Sequence, residues 1–176
     1  LCVLHITGWE TLAACVNVLV AARLAHKRAL LALQVDALLT PYAIAKQRSK
    51  SHDITLILQH LLRNEHYDRH VAKRLILRHL SGDGNVFSDA VSRALWSEFA
   101  EMCALLQVRP FRVHLVESEK DLVRNVLFAA AQRKDLTLNA QALEEALDAP
   151  GLPEHSVPTW GRGSKRDAHE SARPHN

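Results

Sequence analysis

Cysteine is scarce in this 176-residue chain: Cys2, Cys15 and Cys103 are three in number and share no CxxC spacing. That count argues against a disulfide framework and fits reduced intracellular thiols, in cytoplasm or nucleus. Long apolar runs are lacking too. The longest, Val16 to Leu24, is broken by Asn17 and Arg23 and falls short of the roughly 20 residues a bilayer requires, so no membrane partner is expected. The chain opens at Leu1 without Met, basic n-region or small-residue cleavage site, so no signal peptide is expected and the polypeptide reads as a fragment of a larger one. No internal repeat occurs at any useful period. Trp9, Trp96 and Trp160 form no ladder of stacking positions, and the first two are expected to pack. Charge is nearly balanced at +3, with a pI near 8.9, which permits nucleic-acid binding without requiring it.

What is present is alternation. "LCVLHI" is short and apolar and reads as a strand end, followed by a capping-box pattern, Thr7-x-x-Glu10, and a helix from about Trp9 to His26. "ALLALQVDALLT" is a continuous apolar run expected to hold a buried central strand ending near Asp36. A short helix from Pro41 to Lys46 should follow. Asp53 is placed to cap a helix reaching Asn64, and Leu75, Ile76 and Leu77 suggest a second buried strand. After the turn Ser81 to Asn85, Asp89 opens another helix. Strands alternating with helices imply an α/β layer with at least two parallel strands. Beyond Arg93, Leu95 to Leu106 is an amphipathic helix, "QVRPFRVHLVES" is extended, and Glu117 to Arg133 carries a helical stripe of Leu122, Val123, Val126, Leu127 and Ala130. Asn139 to Leu147 forms a last short helix. From Pro150 onward, Pro, Gly, Ser, His and charge predict disorder.

Three carboxylates fall at element ends: Glu10 in the first helical turn, Asp36 at the end of the central strand, Asp89 at a helix start. Such positions converge along one edge of an α/β sheet. Gathered carboxylates call for a hard cation, and two Mg²⁺ ions clamp a phosphodiester for in-line attack. Taken singly, Glu10 is explained by its capping box and Asp89 by capping, whereas Asp36 inside an apolar run needs a partner. His66 and His70 stand four apart, but the HExxH order is absent and no third ligand is evident, so a zinc site is set aside. Lys46, Arg48, Lys50, Arg63, Arg69, Lys73 and Arg74 form basic clusters, either a solvated face or a sequence-independent phosphate track.

"LHITGWETLA", Leu4 to Ala13, resembles the strand-to-helix junction of the ribonuclease H domain in retroelement reverse transcriptases, whose Glu is the second catalytic carboxylate. "LLALQVDALLTPYAI" is similar to the strand bearing the third. "HLSGDGNVFSDAVSR" resembles the family's HxxGxxNxxADALSR signature, with His79, Gly82, Asn85, Asp89, Ala90, Ser92 and Arg93 in place. The resemblance implies an RNase H-like mixed sheet flanked by helices. It further implies Mg²⁺ or Mn²⁺ held by Glu10, Asp36 and Asp89, which would be the catalytic residues, and His79, Asn85, Arg48 and Lys50 on the substrate. That substrate would be an RNA–DNA hybrid, cut endonucleolytically within a larger polyprotein.

The chain departs from the family pattern in three places. The first strands, and the first Asp with them, have no counterpart. Ala37 stands where Asn is usual, and basic residues replace a Gly-containing loop near "KQRSKS". The expected organisation is residues 1–95 as a partial RNase H-like unit, 96–148 as a helical extension resembling that of tyrosine-recombinase-bearing elements, and 149–176 as a disordered tail. Three alternatives follow: an RNase H-type hydrolase, a catalytically dead nucleic-acid-binding or connecting module on the same fold, or an unrelated α-rich interaction domain.

Overall fold

A computed structural model describes residues 3–67, 71–81, 84–93, 95–108 and 113–149. The chain is mixed α/β and mostly helical. Its elements run α1 (Ile6–Leu24), β1 (Leu31–Val35), α2 (Leu39–Lys46), α3 (His52–Leu62), a 3₁₀ turn (Ala72–Arg74), β2 (Leu75–His79), α4 (Val86–Ser92), α5 (Trp96–Leu105), α6 (Glu117–Arg133) and α7 (Ala140–Asp148). The two strands pair in parallel, Leu31 opposite Leu75 through Val35 opposite His79, with α2 and α3 in the crossover. A parallel pair requires such a long connection, usually helical.

Both strands were expected to be buried throughout, and they are not. Leu31, Leu33, Leu75 and Leu77 face the core, while Ala32, Gln34, Ile76 and Arg78 are exposed. Period-two alternation was hidden in the sequence because Ala32 and Ile76 are themselves apolar. Among the described residues the sheet has these two strands, both parallel, and no antiparallel member.

The chain start also differs from expectation. Residues 3–5 are not a strand, and α1 begins at Ile6 with His5 as its N-cap. Thr7 therefore lies inside the first turn, and the Thr7–Glu10 capping box does not form. Its task passes to a distant residue, since Asp53 Oδ2 accepts the His5 backbone N–H at 2.8 Å. Asp53 is free for this because Ser51 caps α3 instead, its hydroxyl oxygen accepting from the Ile54 N–H. Gly8 permits the approach of the two helices: a Cβ there would lie 3.2 Å from the Asp53 Cβ.

One core joins these parts. Leu12, Cys15, Val18 and Leu19 of α1 meet Ile54, Ile57, Leu58 and Leu61 of α3, together with Leu122, Val126, Leu127 and Ala130 of α6. Thus α6, beyond residue 95, belongs to the same apolar cluster as α1 and α3. An ion pair fastens its first turn: Arg23 donates to both carboxylate oxygens of the buried Glu119, at 2.8 and 3.2 Å, and Glu119 Oε2 also accepts the Val116 N–H. Helix α7 is capped by Asn139 and buries no residue fully. It is held to α6 by Arg124 on Glu144 and Lys120 on Asp148. Helices α4 and α5 pack on each other through an edge-to-face contact of Phe87 with Phe99, and Trp96 meets Phe99 in the same way within α5. Trp96 is thus a packing residue as expected, whereas Trp9 remains 38% exposed. The expected tail from Pro150 lies outside the described residues, as do Arg69, His70 and part of the segment "QVRPFRVHLVES".

Candidate functional site

The cleft is built from three elements. On α1, Ile6, Glu10, Ala13 and Asn17 recur at helical spacing and form one wall. Residues Leu33 to Ala37, at the end of β1, form the floor. Asn85, Ser88 and Asp89 of the α4 segment close the other side of a cavity of about 410 Å³. Glu10, Asp36 and Asp89 are therefore brought to one cleft, and all three are exposed to water within it.

Two residues from the end of β2 and the start of α4 clasp Asp36. The last ladder bond runs from the Leu80 N–H to the Val35 carbonyl at 2.9 Å and holds the two strand ends together. His79 Nε2 lies 3.1 Å from the Asp36 carbonyl, and Asn85 Nδ2 donates to Asp36 Oδ2 at 2.9 Å. Both were expected on substrate; here they meet the carboxylate residue itself. Asp89 is not an N-cap, because α4 starts at Val86 with Asn85 as its cap, so Asp89 stands at the end of the first turn. Its Oδ1 accepts from Arg93 Nε at 2.8 Å. With both side chains at least half exposed, that i,i+4 pair contributes only about 0.3–0.5 kcal/mol.

The basic residues are placed differently. Arg48 and Lys50 lie in the exposed turn between α2 and α3 and do not line the cleft. Arg74 serves the fold: its Nη1 donates to the carbonyls of His26 and Ala29, holding the turn before β1. Arg63, with His60, borders a separate depression against the first turns of α6, where burial and the Arg63 charge push the His60 imidazole below its usual range. Asn17 and Ser88 are lining residues that motif matching passed over. Asn17 was visible as a polar break in the apolar run of α1, one helical face from Glu10.

The donor set consists of oxygen atoms. Three carboxylates and the amide of Asn17, with no His or Cys among the lining residues, suit a hard cation such as Mg²⁺ or Mn²⁺ and not zinc. The side chains line the walls separately: among the described residues, no three His, Cys, Asp or Glu come together as a ready ligand group. Nucleophilic chemistry at Cys15 has no support, since burial pushes its thiol up to about 12. No helix of the described chain is long and apolar enough to cross a membrane. Neither protein-family models, nor curated proteins, nor solved structures contain a match to this chain.

Proposed function

We propose that the chain is the RNase H-type part of a retroelement reverse transcriptase polyprotein, acting on the RNA strand of an RNA–DNA hybrid with Mg²⁺ or Mn²⁺. The observation that carries this proposal is the convergence of Glu10, Asp36 and Asp89, from α1, β1 and α4, on one solvent-exposed cleft. Asp36 and Glu10 would hold one cation and Asp89 a second. The chemistry supplied by such ions is a lowered water pKa and neutralised charge at the phosphodiester. The chain's own residues contribute orientation. Asp36 is held at backbone and side chain by His79 and Asn85, and Glu10 projects from a helix whose start is pinned by Asp53.

Cleavage of an end-labelled RNA–DNA hybrid with Mg²⁺ or Mn²⁺ tests this, using the chain and a version extended upstream in its parent reading frame. Cutting that falls at least 100-fold in Asp36→Asn and Asp89→Asn supports the hydrolase; uncut hybrid in every form rejects it. A second proposal is a catalytically dead hybrid-binding module. It is favoured by the engagement of Asp36 with Asn85 and of Asp89 with Arg93 in place of a gathered ligand group. Salt-sensitive binding of hybrid without cleavage would select it.

A further inference from the structure

Asn85 occupies the N-cap of α4, a position where Asn ordinarily accepts a hydrogen bond from the helix's own first turn. Here it makes no such bond. Its side-chain amide is turned outward and donates to Asp36 Oδ2, 49 residues away in sequence. The local stabilisation a cap supplies is thus forgone in favour of a contact across the cleft.

The geometry has a second consequence through helix periodicity. Asn85 and Asp89 are four residues apart, joined by the Asp89 N–H to Asn85 carbonyl bond at 3.0 Å, so they lie on the same face of α4. Fixing Asn85 on the end of β1 therefore fixes the rotation of α4 about its axis. That rotation decides whether Asp89 points into the cleft. Helix α4 has little else to set it, because its main packing partner is α5 and not the central core.

We propose that Asn85 is a positioning residue: its amide fixes the Asp36 carboxylate and, through the first turn of α4, turns Asp89 into the same cleft. Among the described residues only Oδ2 of Asp36 carries a side-chain hydrogen bond, which leaves Oδ1 for a cation. The inference rests on the cation-dependent hydrolase proposed above and extends it to a residue that touches neither cation nor substrate.

The test is Mn²⁺ titration of the full chain, followed by the paramagnetic resonance of the free ion, on wild type, Asn85→Ala, Asn85→Ser, Asp36→Asn and the Asn85→Ala/Asp36→Asn double variant. Ser caps helices as well as Asn does but is too short to reach Asp36, so it separates capping from positioning. The expected result is a dissociation constant raised about tenfold or more in both Asn85 variants, with circular dichroism and melting unchanged. The double variant should bind no more weakly than Asp36→Asn alone, since the two residues act as one unit. In the metal-free chain the side-chain amide resonance of Asn85 should move on Asp36→Ala. Wild-type affinity in Asn85→Ser, additive losses in the double variant, or an unmoved amide resonance would each overturn the positioning role. A wild-type chain that takes up no Mn²⁺ would overturn the hydrolase proposal itself, and the positioning role with it.

Discussion

Glu119 and Arg23 carry the same ion pair but stand in different surroundings. The Glu119 side chain is 2% exposed and that of Arg23 is 30% exposed. Removing Arg23 leaves a carboxylate buried without its partner, whereas removing Glu119 leaves a guanidinium that water can reach. Arg23→Ala is therefore expected to destabilise by about 3 kcal/mol or more, and Glu119→Ala by about 2 kcal/mol. Urea unfolding should show both as lower midpoints at unchanged slope, and equal losses would contradict the asymmetry. At this scale the sequence was legible where a residue violated its surroundings. Asp36 stood out as a charge within an apolar run, and Asn85 and Asp89 through the resemblance to the HxxGxxNxxADALSR signature. Asp53 was misassigned, because a local capping rule cannot show that the N–H it serves belongs to His5, 48 residues away.

Helix α7 illustrates an element held by charge. Its polar contacts to α6 are Arg124 to Glu144 and Lys120 to Asp148, with Glu117 and Asp121 also on Arg124 and Glu145 on α7 itself, while Leu143 adds an apolar contact with the core. The Arg124 guanidinium, hydrogen-bonded to Glu144, holds that carboxyl below the usual range, and Lys120 does the same for Asp148. A carboxyl whose pKa is lowered by docking contributes stability above its undocked pKa and loses it as pH falls through the docked one. Helix α7 should therefore stay docked near neutrality and loosen below about pH 4, where free carboxyls protonate. Amide hydrogen exchange should find α7 losing protection there before α1 and α3; simultaneous loss would refute a separate electrostatic attachment. The boundaries of α2, α3 and α5 to α7 were close to expectation because apolar stripes are local signals, whereas α4 begins at Val86, ahead of the Asp89 expected to open it. Strand burial was not, because whether a face is covered depends on what packs against it.

Across the whole molecule, α6 decides what counts as a folding unit. Leu122, Val126, Leu127 and Ala130 share a cluster with α1 and α3, so a polypeptide ending at residue 95 would expose the faces they cover. Losing several buried side chains at about 2–4 kcal/mol each exceeds the stability of an ordinary domain. The truncated form is expected to lack dispersed amide resonances, while residues 1–149 unfold in one transition by circular dichroism and tryptophan fluorescence. A truncated form that folds cooperatively would show α6 to be an accessory.

The contacts that close over Asp36 also bear on time. His79 and Asn85 reach it from 43 and 49 residues along the chain, with α2, α3 and β2 threaded between. Contacts of such long sequence separation form only after the loop-closure entropy has been met, which makes them slow. Helical signal should therefore appear early in refolding, and the cleft should assemble in a slower phase. During synthesis, the carboxylates at Glu10 and Asp36 emerge well before the segment that completes their surroundings.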